Sequence, residues 1–531
     1  MSAQLAELLT RAAAEAPDRT ALVEAATGRR VTWSELETEV DRVAAGLVRM
    51  GLVAGYRLVI VLPNRLEFVT TYLGALRAGL VAVPVNPRSA TGELVRQLAD
   101  CGARVAVADR STLTMVRQAV AGLEDALGAA DEELRTRTPV PRIVVVSAPT
   151  VPGELGYDEL LTADLVDTPH ATDPERLATL LYTSGTSGRP RAAMLTHRAL
   201  LANIEQVADV DPSMITGDDV VFGVLPLFHV YGLNAVLGQV LRQQARLVVV
   251  DGFDVEESLR VIAQESVTVL PVAPPVFAYW QGMPDLGERL RGVRLVLSGS
   301  APLSAPLVDD FRRRTGIEVH QGYGLTEAAP VVTSTLRSPH PKRGSVGSAL
   351  PGIEIRLADE SGSAPEGEDP GQILIRGANM FSGYWADGAG GPGDDGWYAT
   401  GDVGFLDRDG DLFLVDRLRE LVIVSGFNVY PTEVEDVIGE VEGVAEAAVI
   451  GAPHPLTGET VVAYLTPAGA PADTADELEA RVRDHCATRL ARFKQPSEVH
   501  VVDALPHTVT GKVAKGRLRA GRRRRDMGLL E

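Results

Sequence analysis

The chain has 531 residues, of which 45% are hydrophobic and 23% are charged, a composition ordinary for a globular protein with several folding units. Its 71 acidic residues outnumber its 51 basic residues, which gives a formal net charge of −20. This balance argues against a general nucleic-acid-binding protein, because that class needs positive charge to displace counterions.

Cysteine content and the N-terminus indicate the cellular setting. Cys101 and Cys486 are too few for a disulfide framework and lack metal-ligand spacing, which predicts a reducing, cytoplasmic location. The N-terminus lacks the basic start and apolar core of a signal peptide and predicts a short amphipathic helix instead. Residues 220–241 contain no charged side chain and are long enough to span a bilayer, but Pro226, His229 and internal glycines favour a buried segment that carries a functional loop. We therefore expect no integral membrane segment.

Helical and strand-like patterns alternate over the first hundred residues. Thr32 to Glu35 matches a capping box, and apolar residues then recur on one helical face as far as Met50. A strand-like run at 57–62 and a helix at 66–78 follow, and the alternation continues to residue 108. Continuous Val, Ile and Leu runs between helices predict parallel strands that are covered on both faces.

The pattern changes in the last third of the chain. The alternation returns between residues 246 and 298, whereas short strands and many turns from 344 to 416 predict a small β-barrel-like subdomain. Mixed β and α patterns follow. We predict an α/β protein with a large N-terminal body of parallel-rich sheets, residues 1–416, and a small mobile α+β C-terminal lid, residues 417–531, joined by a hinge near 417–419.

One loop has a composition suited to binding an anion. Residues 182–191 read YTSGTSGRPR, contain six Gly, Ser or Thr residues and follow the apolar run 177–181. Glycines let backbone N–H groups approach phosphate oxygens, and the hydroxyls add donors, so the loop can form a polyphosphate cradle. The common Gly-x4-Gly-Lys-Ser/Thr loop does not occur in the chain. From composition alone, an ordinary surface loop is the alternative interpretation.

Five more motifs place this loop in a wider pattern. In chain order they are LPLFHVYG at 225–232, GYGLTEAAP at 322–330, YATGD at 398–402, DRLRELVIVSGFNVYPTEVE at 416–435 and TGK at 510–512. Together with the loop, in this order and at these separations, they resemble the motifs of the adenylate-forming enzymes, which include acyl-CoA synthetases, adenylation domains and luciferases. The resemblance extends from residue 15 to residue 520.

The resemblance implies a reaction in two halves. A carboxylate attacks the α-phosphorus of ATP and expels pyrophosphate, and a thiol then attacks the acyl-adenylate and expels AMP. ATP and Mg²⁺ are the implied cofactors, and coenzyme A is the implied acceptor. The first half depends on charge placement around phosphorus, so it calls for a phosphate cradle, a metal ion and a positioned cation.

By resemblance, the loop binds the β- and γ-phosphates of ATP. Glu327 is the expected Mg²⁺ ligand, because Mg²⁺ typically takes one or two protein carboxylates, and Thr326 is expected to touch the α-phosphate. Arg191 stands where the family usually has Lys, which keeps the charge but changes reach and geometry. The expected ATP-binding set is Thr183, Ser184, Gly185, Thr186, Ser187, Gly188, Arg191, Ser300, Ala301, Pro302, Gly322, Tyr323, Gly324, Asp402 and Arg417. Within it, the tyrosine would stack on adenine, and the last two residues would contact the ribose.

Lys512 is the residue expected to carry most of the catalysis. It follows Gly511 on a turn, where a long cation can reach the charge that develops between carboxylate and α-phosphate. The thiol needs the same position in the second half-reaction, so the resemblance implies rotation of the C-terminal domain about a hinge at Arg419. Residues 425–427, which are Ser425, Gly426 and Phe427, would then face coenzyme A.

The expected acyl site involves a histidine in an apolar run. By resemblance, His229 is expected at the entrance and is counted with Lys512, Thr326 and Glu327 among the catalytic residues, and the residues expected to line the pocket are Tyr231, Gly324, Pro330 and Val331. Amino-acid-activating relatives usually have Asp where this chain has His229, and a buried ammonium without that carboxylate is unfavourable. The motifs look especially like those of fatty-acyl and hydroxycinnamate CoA ligases, so we expect a fatty or plain aryl acid.

The sequence is also compatible with other interpretations of the acceptor, the activity and the C-terminal tail. The acceptor could be an acyl carrier protein, and a non-catalytic nucleotide sensor on the same fold could contain Arg191 and Arg419 as marks of decay. The basic tail GRLRAGRRRRD, residues 516–526, could be a solvated end, a clamp for coenzyme A or a carrier protein, or a grip on anionic lipid.

Overall fold

The architecture is α/β, with parallel-rich sheets as predicted. We describe it from a computed structural model. The described residues are 4–128, 138–162, 173–183, 191–300, 303, 305–359, 362–365, 370–417, 420, 422–424, 427–454, 458–468, 474–490, 492–508 and 511–526. Their contacts divide into two compact units.

A seven-stranded sheet lies in the first unit in the order β7-β6-β5-β3-β4-β8-β9. All neighbouring strands are parallel except β8 and β9, which form an antiparallel hairpin at one edge. The strands are β3 Arg57–Val61, β4 Val81–Pro84, β5 Ala103–Asp109, β6 Arg142–Val146, β7 Leu155–Gly156, β8 Leu177–Thr183 and β9 Arg191–Thr196.

A nine-stranded sheet lies in the same unit in the order β16-β15-β14-β13-β12-β10-β11-β1-β2. The pairs from β14 to β1 are parallel, and antiparallel strands close both ends. The strands are β1 Thr20–Glu24, β2 Arg30–Thr32, β10 Val220–Gly223, β11 Arg246–Val249, β12 Val269–Val272, β13 Leu295–Ser298, β14 Val319–Gly324, β15 Val331–Ser334 and β16 Ser348–Ala349.

Helices of this unit pack their apolar faces on the sheets, and buried aliphatic side chains fill the interior. Their bounds are Glu7–Glu15, Trp33–Arg49, Leu66–Arg77, Thr91–Cys101, Leu113–Gly128, Tyr157–Leu161, His197–Ala208, Gln239–Gln243, Val255–Gln264, Pro275–Trp280, Leu286–Arg289 and Ala305–Thr315. The capping box is present: Thr32 Oγ1 accepts from the Glu35 N–H at 3.2 Å, and Glu35 Oε2 accepts from the Thr32 N–H at 2.8 Å.

Both cysteines of the chain are buried and reduced, and burial raises the pKa of Cys101 to about 12.

The uncharged stretch 220–241 is a core segment, as predicted. It comprises β10, a loop, a π-helical segment Tyr231–Gly238 and the start of the helix Gln239–Gln243. A Cβ atom on Gly232 would lie 2.3 Å from the Pro226 carbonyl oxygen, so only glycine lets the π-helical segment fold back on the loop. Within the described part of the chain, no helix combines the length and apolarity needed to cross a bilayer.

The second unit comprises 344–346, 355–375 and 399–531. A four-stranded sheet, which lies mostly in this unit, has the order β17-β18-β19-β20, and a second sheet has the order β22-β21-β24-β23 with β25 beside β24. The strands are β17 Ile353–Ala358, β18 Gly371–Gly377, β19 Tyr398–Leu406, β20 Leu412–Arg417, β21 Val422–Val424, β22 Phe427–Val429, β23 Val444–His454, β24 Gly458–Pro467 and β25 Glu498–Val501, and the helices are Pro431–Gly439, Ala475–Arg489 and Lys515–Asp526. The domain boundary at 416/417 and its hinge stay predictions.

His197 connects stability to pH. Its Nδ1 accepts from the Leu5 N–H at 3.2 Å, and burial together with the charge of Arg176 lowers the pKa of His197 to about 4. The unfolded chain takes up this proton below its ordinary pKa of about 6.5, so stability is lost as the pH falls from there towards 4. We expect the loss to reach about 2 kcal/mol by pH 5.

Replacing His197 with Asn tests this expectation, because an amide oxygen can still accept from Leu5 but does not titrate. All four tryptophans lie in the first unit, so their fluorescence reports its unfolding. Denaturant unfolding at pH 7.5 and pH 5.0 should show a smaller pH-dependent loss in H197N than in the wild type. Equal losses would assign the pH dependence to other groups.

Candidate active site

The Gly/Ser/Thr loop joins two paired strands. Thr183 ends β8 and Arg191 begins β9, and the two are register partners, with the Thr183 hydroxyl donating to the Arg191 carbonyl at 3.4 Å. The expected phosphate-binding residues Ser184, Gly185, Thr186, Ser187 and Gly188 lie outside the described residues. The two ends of the predicted cradle are therefore held side by side at the edge of the seven-stranded sheet.

Tyr182 anchors the start of this loop. Its hydroxyl donates to Asp100 Oδ2 at 2.7 Å and to the Gln97 carbonyl at 3.2 Å, both on the helix Thr91–Cys101. The indole of Trp385 donates to the Asp100 carbonyl at 3.0 Å. One helix end thus fixes both the hairpin and the segment that contains Trp385.

Arg191 is held at the other end of the loop. Its guanidinium carbon lies 4.0 Å from the ring centroid of Tyr384, and Nη2 donates to the Ala389 carbonyl at 3.2 Å. A guanidinium over an aromatic face is attracted by the ring quadrupole. Arg191, which stands where the family usually has lysine, is therefore held by contacts with Tyr384 and Ala389.

The second predicted motif forms a tight turn between β14 and β15. Gly322 and Gly324 pair with Ser334 and Val331, and a Cβ atom on Gly324 would lie 2.3 Å from the Pro330 carbonyl oxygen. The turn contains a short 3-10 helix, Thr326–Ala328, and a cis peptide bond before Pro330. Tyr323, the expected adenine partner, is only 7% exposed, and its N–H donates to the Thr333 hydroxyl at 3.2 Å. Thr326 is half-buried.

Glu327 is buried in this turn, with 9% of its surface exposed. Its Oε1 accepts from the Tyr384 hydroxyl at 2.6 Å, and its carbonyl accepts from the Phe381 N–H at 2.9 Å. Burial, with the Glu327 charge as a further cause, raises the pKa of Tyr384, so the hydroxyl stays protonated and donates. This carboxylate is therefore oriented by a partner that sequence reasoning did not identify.

Two of the expected acyl-site residues, His229 and Tyr231, lie at the start of the π-helical segment. His229 Nδ1 accepts from the Tyr231 N–H at 3.3 Å, which leaves the proton of a neutral ring on Nε2. A Cβ atom on Gly299 would lie 3.1 Å from the Tyr231 ring, so this ring packs on the residue before Ser300. Ser300 has a φ of +74°, whereas Ala301 and Pro302 lie outside the described residues.

Two buried asparagines join the acyl-site elements, and sequence reasoning missed both. The Asn234 amide donates to the Ala329 carbonyl at 2.6 Å, next to Pro330. Asn203 accepts from the Val331 N–H at 3.0 Å and donates to its carbonyl at 2.8 Å. Polar residues at buried positions of apolar helical patterns were the available signal.

The second unit contains the remaining expected residues. Asp402 and Arg417 are register partners on the antiparallel strands β19 and β20. Lys512 lies on a turn in which its N–H donates to the Thr508 hydroxyl at 3.1 Å and its carbonyl accepts from the Thr508 N–H at 2.7 Å. Gly511 has a φ of +81°, which favours glycine before the lysine.

Several expected residues of this unit lie partly or wholly outside the description. Arg419, Ser425 and Gly426 are not described, and for Arg417 and Phe427 the description covers the backbone only. Phe427 begins β22 and pairs with Val424. The hinge and the coenzyme A contacts therefore stay predictions.

Comparison with known proteins gives matches over nearly the whole chain. The family of AMP-binding enzymes matches residues 9–385, and the AMP-binding enzyme C-terminal domain matches 433–512. The chain is 33% identical to 4-coumarate–CoA ligase 3 of Oryza sativa subsp. japonica over 519 residues, which cover 96% of this chain and 90% of that protein. It is 32% identical to the long-chain-fatty-acid–CoA ligase of Bacillus subtilis strain 168 over 536 residues, which cover 97% and 94%.

Solved structures include similar folds. The structure of ATP-bound MatB from Rhodopseudomonas palustris has a TM-score of 0.86 and 32% identity, and the alignment covers 98% of this chain and 99% of that one.

Proposed function

We propose that this chain, which belongs to the AMP-binding enzyme family, activates a fatty or aryl acid with Mg²⁺ and ATP. Its membership confirms the family resemblance of the motifs. As an AMP-forming acid–thiol ligase, it converts a carboxylic acid to an acyl-adenylate and passes the acyl group to coenzyme A. The acid, the metal and the roles of individual residues form the proposal.

One observation carries the assignment of the ATP site: Arg191 and Glu327 contact the same side chain, Tyr384. A cation at the end of the Gly/Ser/Thr loop thus lies over the face of one tyrosine ring, and a buried carboxylate accepts from the hydroxyl of the same residue. A triphosphate with a bound metal ion needs this combination of charges.

The residues around Glu327 fit Mg²⁺. Among the described residues, no group of three or more His, Cys, Asp or Glu side chains could hold a metal ion. Glu327, whose Oε1 is oriented by the Tyr384 hydroxyl, would be the carboxylate ligand, with phosphates and water completing the shell, which is the usual arrangement for Mg²⁺. When bound, Mg²⁺ would neutralise phosphate charge during adenylation.

Several side chains of the protein would then have separate roles in adenylation. The loop with Arg191 would hold the β- and γ-phosphates, Thr326 would donate to the α-phosphate, and Lys512 would neutralise charge between the carboxylate and the α-phosphorus. Asp402 and Arg417 would hold the ribose, which their pairing on β19 and β20 supports. For the second half-reaction, we propose that the C-terminal region rotates about Arg419.

The acyl site favours an acid without an ammonium group. His229 stands where a carboxylate would be needed to pair with a buried ammonium, and its neighbours Phe228 and Tyr231 are aromatic. Similar proteins are named for 4-coumarate and long-chain fatty acids. We extend this substrate class to the present chain, and we propose a cytoplasmic location, which its two buried thiols support.

The proposed acid is tested by incubating the full chain with a panel of fatty and aryl acids, Mg²⁺-ATP and either coenzyme A or a holo acyl carrier protein. Mass spectrometry of the products should show the acyl-CoA thioester. Efficient carrier loading without acyl-CoA would instead identify an acyl-AMP ligase and would contradict thioester formation with coenzyme A.

A further inference from the structure

Tyr384 lies between two predicted ATP-site residues that come from different elements. Its hydroxyl donates to Glu327 Oε1 at 2.6 Å, and the Arg191 guanidinium carbon lies 4.0 Å from its ring centroid. The hydroxyl of this side chain thus binds the carboxylate, and its aromatic face contacts the cation. None of the sequence motifs assigns a role to it.

The backbone around Tyr384 is tied to the elements that carry both residues. Tyr384 bridges to Ala193 on β9, and the Trp385 N–H donates to the Ala192 carbonyl at 2.9 Å. The Phe381 N–H donates to the Glu327 carbonyl at 2.9 Å. This short segment therefore connects the strand that begins with Arg191 to the turn that contains Glu327.

Packing fixes the ring as well. Phe381 contacts it edge to face, with ring centroids 5.0 Å apart. Gly390 lies close to the ring, since a Cβ atom there would be 3.3 Å from it. The ring therefore has little freedom to move independently of its two charged partners.

We propose that Tyr384 is a positioning residue for adenylation. Its hydroxyl orients the Glu327 carboxylate towards the metal, and its ring holds the Arg191 guanidinium beside the phosphate loop. This inference rests on the proposed function, because it takes Glu327 as the metal ligand and Arg191 as the phosphate-binding cation. Groups that orient a metal ligand typically change metal affinity 10- to 100-fold when they are removed.

Two substitutions separate the two contacts. Tyr384→Phe keeps the ring for Arg191 and Phe381 but removes the hydroxyl that binds Glu327. Tyr384→Leu removes the ring as well. Tyr398→Phe is the matched control, because it deletes a hydroxyl 3.4 Å from that of Tyr384 and leaves the bond to Glu327 in place.

Calorimetric binding of α,β-methylene-ATP to the full chain, with Mg²⁺ and with EDTA, gives a readout that does not depend on turnover. The ratio of the two affinities is the metal enhancement. We expect Y384F to reduce this enhancement about tenfold with unchanged metal-free affinity. Y384L and Arg191→Ala should both also lower the metal-free affinity, and Y398F should match the wild type. In pyrophosphate exchange, excess Mg²⁺ should restore Y384F.

The outcomes distinguish this inference from the function on which it rests. If E327Q retains the wild-type metal enhancement, the proposed metal ligand is wrong. If E327Q loses it and Y384F does not, the positioning role is wrong while the metal site stands. If Y384L and Y384F bind the nucleotide with equal affinity in the absence of metal, the ring does not support Arg191. If Y384F loses as much affinity without metal as with it, the proposed role of the hydroxyl is wrong.

Discussion

Replacing Lys512 with Ala should reduce acyl-adenylate formation by roughly 100- to 1,000-fold, the effect typical of removing one group that stabilises developing charge. Lys512 lies on a turn closed by its own backbone bonds to Thr508, so truncating the side chain leaves the turn intact. Thioester formation from a supplied acyl-adenylate should change less than about threefold, because the lysine is proposed to act only in the first half-reaction.

Each half-reaction is measured separately, by pyrophosphate exchange and by single-turnover release of AMP from the acyl-adenylate of the best acid in the presence of coenzyme A. Lys494→Ala is the matched control, since it removes a lysine charge that pairs with Glu433 in the same unit. That control should leave adenylation within about threefold of the wild type. Equal losses in the two half-reactions of K512A would contradict the assignment of Lys512 to adenylation and the proposed rotation.

Replacing Glu327 with Gln should reduce adenylation by roughly 100-fold or more. The amide keeps the size of the side chain and an oxygen that can accept from Tyr384, but it has no charge to offer Mg²⁺. Stability should not fall, because a buried carboxylate costs desolvation energy and its backbone bond to Phe381 is unaffected. The expected signature is lost catalysis with an undiminished free energy of unfolding.

Steady-state exchange and tryptophan-detected unfolding check this pair of expectations. Glu318→Gln is the matched control, because Glu318 is an exposed carboxylate that pairs with Arg312. Near-normal pyrophosphate exchange by E327Q would contradict a catalytic role for Glu327. A large loss of stability would instead indicate that its carboxylate has a structural role.

Local features of the chain were predictable because their causes are local. The helix after Thr32 follows from a capping box and an apolar face, and the run 177–181 forms most of β8. Glycine before Lys512 predicted a turn, and Gly511 indeed has a positive φ. The motifs then placed Arg191 and Glu327 in one proposed site, although no local rule relates their positions.

The contacts that organise this site could not be predicted in the same way. Tyr384 pairs with Ala193, nearly two hundred residues earlier in the chain, and a hydrophobic pattern carries no information about such a pairing. The hydrogen bonds of Asn203 and Asn234 to backbone groups of a distant turn could not be predicted for the same reason. The spacing of apolar residues after Tyr231 also does not distinguish an α-helix from the observed π-helical segment.

The exchange of labelled pyrophosphate into ATP tests the central claim most directly, because it requires a carboxylic acid to be activated as an adenylate. The full chain would be assayed with Mg²⁺ and a panel of aliphatic, aryl and amino acids. We predict strong exchange with at least one fatty or aryl acid and none with the amino acids. Measurable ATP binding without exchange in the presence of any acid would contradict the account and indicate a nucleotide-binding protein that does not catalyse adenylation.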